Sequence, residues 1–247
     1  MTDFSYRLVV LTHGDSAPLA GTLESFRRMV TPAPTSKRLH VDAALPDGCS
    51  AETPCQVDPW FAPDETFWAG GQYGFCEAVR EVWMFNSLLI EPVESSNPEP
   101  FVFWLEHDFE FLRPVNLAEL ATVLRAEPEV AQMSLMRNAV NPAERRAGGL
   151  YALHRHEYQP VTTHAANAWL GGLGLYSLQW LEQRMYYTTN ANLMSTEFMR
   201  ENPWPDYEDH CEGRFSHDLM GRGYRFGVWG NGEEWIHHTG VRTGTGY

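Results

Sequence analysis

Hydrophobic residues along the first half of the chain follow two alternating rhythms. Arg7 to Thr12 is a nearly unbroken apolar run, the pattern of a strand covered on both faces. After a turn at His13 to Ser16, a helix is expected from Pro18 to about Val30. Arg38 to Ala43 reads as a second, weaker strand, and residues 44 to 69 form a long connection with proline, cysteine and tryptophan but no clean period. Phe75, Val79, Val82 and Trp83 recur at helical spacing and predict a helix over Gly74 to Ile90. Polar residues 91 to 100 then lead into the apolar run from Phe101 to Leu112. Asn116, with Glu119 three residues later, resembles a capping box and predicts a helix ending near Ala126. Val130 to Met136 reads as a further strand. This alternation predicts an α/β fold: one domain with a mostly parallel central sheet flanked by helices.

The second half is less regular. A loop rich in histidine and arginine is expected from Asn138 to Asn167, then a glycine-rich stretch at Gly171 to Tyr176, a helix from Leu178 to about Tyr186, and a polar connection to residue 206. Phe215, Leu219 and Met220 predict a helix over residues 212 to 222, with a strand from Tyr224 to Trp229.

Composition narrows the class. At 247 residues and 43% hydrophobic content the chain can bury the core of one large domain. It has no run of about 18 apolar residues, and its start lacks the order of a signal peptide, so the expectation is a soluble, cytoplasmic protein without membrane insertion. A formal charge of −14 opposes broad affinity for nucleic acid, and Lys37 is the sole lysine. The four cysteines include no C-x-x-C pair, so thiolate zinc is not expected; Cys49 and Cys55 fall within one loop, while Cys76 and Cys211 occupy apolar helical positions suited to packing. Phosphate-loop, Rossmann, serine-hydrolase elbow and zincin motifs are all absent.

Three clusters carry candidate chemistry. Glu106, His107 and Asp108 end the apolar run at Phe101 to Leu105, where a strand delivers polar groups to a cleft. On a continuing strand Glu106 and Asp108 would point together and His107 oppositely, so two carboxylates would share one cation or ligand. The alternative is that these acids merely end a strand and face water. Asp206, Glu208 and Asp209 precede the helix at 212, where acids favour the positive helix end and Asp209 would serve as N-cap. In the functional alternative one carboxylate acts as a general base. Finally, His237 and His238 are adjacent and so face opposite ways, leaving at most one to join a metal held by Asp108; a core or surface histidine is the competing reading. In the glycine-rich tail, Arg242 would cover a phosphate or belong to a terminus without a fixed role.

In order along the chain these pieces resemble the metal-dependent glycosyltransferases of the GT-A fold, especially the inverting family 2 type. Leu8 to Asp15 is similar to the family's nucleotide-binding first strand and loop. Glu106-His107-Asp108 stands where the family has D-x-D, Gly171 to Ser177 resembles the central glycine-rich acceptor strand, and Tyr207-Glu208-Asp209 followed by Arg222 to Phe226 resembles the E-D helix and R-G-Y-R strand. The resemblance implies a nucleotide-diphosphate sugar as donor and Mn²⁺ or Mg²⁺ held by Asp108 with His237 or His238. It also implies Glu106, Thr12, Asp15 and Arg242 against the nucleotide sugar, and Asp209, with Glu208 second, as the base. It further implies that residues 1 to 136 form a nucleotide-sugar half and 137 to 247 an acceptor and catalytic half. The sequence departs from the pattern in its first acid and in the histidine between the acids. Compact transferases of this type include bacteriophage enzymes of DNA modification that glycosylate hydroxymethylated pyrimidines. The acceptor is therefore either such DNA or a glycan, with Arg137, Arg145, Arg146, Arg155, His154 and His156 as a candidate basic patch. Two other classes stay open: a metal-dependent hydrolase or nuclease using Asp108, Glu110, Asp209 and the histidines, and a noncatalytic sugar- or nucleotide-binding protein.

Overall fold

A computed structural model describes residues 4–13, 16–43, 61, 63–71, 74–88, 99–167, 174–183 and 187–240. Strands β1 (Tyr6–Thr12), β2 (Val30–Thr31), β3 (Ser36–Val41) and β4 (Glu65–Trp68) are joined by helix α1 (Ser16–Met29) and followed by α2 (Phe75–Leu88). Next come β5 (Phe101–Glu106), β6 (Phe109–Phe111), β7 (Val115–Asn116), α3 (Leu117–Ala126) and β8 (Val130–Ser134). The remainder is α4 (Pro142–Ala147), α5 (Leu150–Leu153), β9 (Tyr158–Asn167), β10 (Gly174–Gln183), β11 (Asn192–Ser195), α6 (Thr196–Glu201), α7 (Cys211–Gly221), β12 (Arg225–Trp229) and β13 (Ile236–His238).

The main sheet has the order β4-β3-β1-β5-β11-β8-β12-β10-β9. It is mixed rather than mostly parallel: β4/β3, β3/β1, β1/β5 and β8/β12 pair parallel, whereas β5/β11, β11/β8, β12/β10 and β10/β9 pair antiparallel. The parallel half needs helical crossovers, and α1 and α2 supply them. The second half instead inserts β11 between β5 and β8 and closes with a ten-residue hairpin of β9 and β10. Following the pairings, β1, β3, β4, β5, β8, β9 and β12 all point one way. Their carboxyl ends, including Thr12, Val41, Glu106, Ser134 and Trp229, therefore share one rim of the sheet.

Period-two alternation sorts the strands onto two layers. Leu8, Val10, Phe103 and Leu105 pack with Leu19, Leu23 and Phe26 of α1 and Leu120 and Leu124 of α3. Val9, Leu11, Val102 and Trp104 pack with Val79, Val82 and Trp83 of α2 and Phe215 and Leu219 of α7 on the other face. The capping expected at Asn116 is present, its side chain accepting from Ala118 N and donating to Glu119.

Three expectations fail in the second half. Leu178 to Gln183 is strand, not helix: Leu178 and Trp180 are buried while Ser177 and Gln179 are exposed, an alternation with period two. The expected loop at Asn138 to Asn167 holds α4, α5 and β9, and the polar connection before residue 206 holds β11 and α6. In α4 the cap is local: Asn141 accepts from Glu144 N, and Glu144 accepts in return from Asn141 N. The expected connection at 44 to 69 includes the edge strand β4; Cys49, Cys55, Asp15 and Arg242 lie outside the described residues. Cys76 and Cys211 are free thiols.

Candidate functional site

The carboxyl end of β5 forms the middle of the rim. β5 stops at Glu106, and His107 and Asp108 make a turn into β6, so the strand alternation expected to align Glu106 with Asp108 does not extend to Asp108. The turn is tied down on both sides: His107 N donates to Leu11 O at 3.0 Å, and Thr22 of α1 donates its hydroxyl to His107 O at 2.7 Å. The His107 ring stands edge-on to His13 with centroids 4.2 Å apart. Glu106 follows Trp104 in strand register and so faces the α7 layer. There Tyr187 feels both Glu106 and Glu212, and burial with these two carboxylates pushes its phenol pKa well up.

Asp108 meets the late histidines through a second, two-stranded sheet. β13 pairs antiparallel with β6, placing His238 opposite Phe109 and His237 opposite Glu110. His238 Nε2 lies 3.2 Å from Asp108 Oδ2, while His237 is exposed on the other side of the strand. Asn138 holds this strand, accepting from His238 N at 2.8 Å and donating its own N–H to Ile236 O. Thr239 donates to Asp108 O through its backbone N–H and its hydroxyl. Gly240 then passes against the carboxylate so closely that a Cβ there would stand 2.0 Å from Asp108 Oδ2.

Burial pushes the Asp108 carboxyl pKa up, but the hydrogen bond and charge of His238, and the charge of His107, outweigh it and leave the group below its ordinary value. Asp108 is thus poised as a carboxylate. Asp108 Oδ1 and His238 Nδ1 are both buried without a hydrogen-bond partner among the described residues. A buried polar atom with no partner is costly and signals a missing one, such as an ion. A carboxylate and an imidazole fit a divalent cation, the remaining positions falling to phosphate oxygens and water. No group of three or more His, Cys, Asp or Glu gathers around one point among the described residues, and within them the candidate set is the pair Asp108 and His238.

The other candidates lie apart from this pair or play different parts. Thr12 is buried at the end of β1, its carbonyl accepting from Asp42 N at 2.8 Å. Asp42, buried at the end of β3, was not found by sequence reasoning. It lines a cleft with Leu11, His40 and Glu81, and its place near the end of the weak strand expected over Arg38 to Ala43 was the only signal for it. Burial and repulsion by Glu77 and Asp42 raise the Glu81 carboxyl pKa. Asp209 does not cap α7: the N-cap is His210, in the left-handed conformation at φ 47°, and Asp209 is 70% exposed with Arg214 at 3.4 Å. Glu208 is exposed, and Glu212 is buried, accepting from the backbone and hydroxyl of Thr189. Glu110 packs beside Gly21 of α1. The candidate basic patch loses Arg137, which is buried in a bidentate pair with Glu144.

These features define a GT-A-like fold: a mixed sheet with helices on both faces and an acid-tipped central strand on its rim. No family model and no curated protein matches the sequence. Among solved structures the chain is similar to GalNAc-T7 crystallised with UDP, GalNAc and Mn²⁺, with TM-score 0.60 and 10% identity over 95% of this chain and 43% of that one. It spans less than half of that protein's length, and likeness at that identity is one of fold. A second similar structure is S. aureus TarS 1–349, with TM-score 0.47 and 11% identity over 95% of this chain and 60% of that one.

Proposed function

We propose that this protein is a glycosyltransferase that moves a sugar from a nucleotide-diphosphate donor to an acceptor hydroxyl with the help of a divalent cation. The observation that carries the reading is the contact of Asp108 with His238 at the rim, each keeping a buried atom without a partner. GalNAc-T7, similar in fold, was crystallised with UDP and Mn²⁺, which supports a nucleotide donor and a cation here. Asp108 and His238 would hold Mn²⁺ or Mg²⁺, which would supply positive charge against the departing nucleoside diphosphate. His237, turned to solvent, is left out of that set.

The chain's own residues do the positioning. Thr12, Asp42 and Glu106 frame the carboxyl ends of β1, β3 and β5, where a nucleoside would lie in an open α/β sheet. In the same reading Asp15 would contact the nucleobase and ribose, and Arg242 would cover a phosphate. Tyr187 feels the charges of both Glu106 and Glu212, and α7 begins just after the Glu208 and Asp209 turn, which supports that turn as the acceptor side of the site. In transfer the acceptor oxygen bonds to the anomeric carbon, the bond to phosphate breaks, and Asp209, with Glu208 as substitute, takes the acceptor proton. Direct displacement of this kind inverts the anomeric centre. The division into a donor half to residue 136 and an acceptor half beyond it, and action in the cytoplasm, belong to the same reading. Among the described residues no helix is long and apolar enough to cross a membrane.

Incubation with nucleotide sugars and a panel of saccharide acceptors, with Mn²⁺ or chelator, tests the reaction. Release of nucleoside diphosphate only with metal and acceptor, lost in Asp108→Asn, is expected. Cleavage of phosphodiesters without any nucleotide sugar would favour a hydrolase instead.

A further inference from the structure

A cavity of about 340 Å³ lies at the far end of the β6–β13 ribbon from Asp108, lined by residues that include Arg113, Gly149, Tyr151, Glu233 and Glu234. Its volume is that of a small-ligand site. Met136 on its wall follows β8 and Gly232 follows β12, so it opens on the same rim as Asp108. Glu234 stands four residues before His238, a span of at most about 13 Å at roughly 3.3 Å per extended residue. That separation leaves room between the two for the sugar being transferred.

The walls are fixed before any ligand arrives. Gly232, at φ +99°, lets its backbone lie against the Tyr151 ring; a Cβ there would fall 2.3 Å from the ring. Tyr158 packs against the same ring in an edge-type geometry, with centroids 5.4 Å apart. Tyr151 is thus a held aromatic surface, on which the C–H face of a sugar ring can rest. Glu234 accepts Ala139 N at 3.1 Å and Glu233 accepts Asn231 N at 2.7 Å, each through one carboxylate oxygen, so the other can accept from a hydroxyl. The guanidinium of Arg113, 5.9 Å from the centre of the Trp235 ring, adds donors. Two carboxylates against one guanidinium disfavour a phosphate or a nucleic-acid strand.

We propose that this cavity is the acceptor subsite and takes a sugar bearing hydroxyls but no phosphate or carboxylate, a choice that rests on the glycosyl-transfer reading. Tyr151 supports the ring, Glu233 and Glu234 accept from its hydroxyls, and Arg113 donates to them.

Saturation-transfer NMR on the full chain with methyl glycosides of glucose, galactose and their N-acetylamino forms, with Mn²⁺ and a saturating nucleoside diphosphate present or absent, tests this. The wild type should show transfer to at least one glycoside, reduced fivefold or more in Tyr151→Ala and in Arg113→Ala. Arg113 is exposed, so its variant carries the test if Tyr151→Ala does not fold. The metal-dependent thermal shift by nucleoside diphosphates should persist in both variants. No transfer in the wild type, transfer unchanged in both variants, or a gel shift of duplex DNA at low salt lost in the same variants would overturn the proposal. Glycoside binding lost in the variants, in a protein that gives no nucleotide response, would instead overturn the donor reading and leave a sugar site.

Discussion

Replacing Glu144 by Gln removes the charge from the buried fork that anchors the strand carrying His238. Arg137 Nη1 and Nη2 each lie 2.9 Å from a Glu144 oxygen, with side-chain exposures of 8% and 3%. Arg137 also bridges to Ile236, and its neighbour Asn138 holds both Ile236 and His238. Burial raises the Glu144 carboxyl pKa, but Arg137 and the backbone N–H groups of Val140 and Asn141 override it and bring it to about 2, from an ordinary 4.5. That difference of about 2.5 pH units corresponds to about 3.5 kcal/mol at roughly 1.4 kcal/mol per unit. Leaving a buried guanidinium unpaired costs about 3–5 kcal/mol by analogy with other buried pairs. Glu144→Gln should therefore lower Tm at pH 7 by roughly 6–20 °C, at about 2–4 °C per kcal/mol for a chain of this size. A carboxylate held below its unfolded value contributes fully above about pH 4.5 and loses that contribution as pH falls towards 2. Urea unfolding across pH 2 to 7 should thus show a gap between wild type and variant that is constant above pH 5 and closes below it. A gap under about 1 kcal/mol at pH 7, or one that does not narrow in acid, would refute the assignment of this stability to the ion pair.

Other changes separate the parts of the account. Gly240→Ala places a Cβ 2.0 Å from Asp108 Oδ2, so isothermal titration should find Mn²⁺ affinity reduced tenfold or more with little change in far-UV circular dichroism. His238→Ala should abolish stabilisation by Mn²⁺ in a thermal shift, whereas His237→Ala, at an exposed position, should stay within about 0.5 kcal/mol of the wild type and keep the response. Gly227→Ala would set a Cβ 2.2 Å from Met133 Sδ and 3.1 Å from Gln132 O, costing about 1–3 kcal/mol in chemical denaturation, of which trimming Met133 to Ala should recover part.

What the sequence could carry depended on the range of the forces involved. Apolar runs such as Leu8 to Leu11 and Phe101 to Leu105 are continuous because both faces are covered, so the parallel half was readable from local pattern alone. The same holds for the helices carrying Leu19 to Phe26 and Val79 to Trp83. β10 departs from the helix expected there because Leu178, Leu181 and Met185 also satisfy a helical period; its strand character is set by pairing with Thr163 and Val228. β11 has only four residues, Asn192–Ser195, too few to show a period, and only its insertion between β5 and β8 makes it a strand. At the site, the acid-tipped strand and the late histidines were visible as residue types, but which histidine meets Asp108 follows from the β6–β13 register. Asp42, Asn138 and Gly240 carried no motif, since their positions at the site come from contacts distant in sequence.

The most direct test of the central claim is calorimetric titration of nucleoside diphosphates into the wild type and Asp108→Asn, each with Mn²⁺ and with chelator. The account predicts binding of at least one nucleoside diphosphate to the wild type with Mn²⁺, lost with chelator and lost in the variant. Equal binding with and without metal, or binding unaffected by the substitution, would contradict a donor site built on Asp108 and His238.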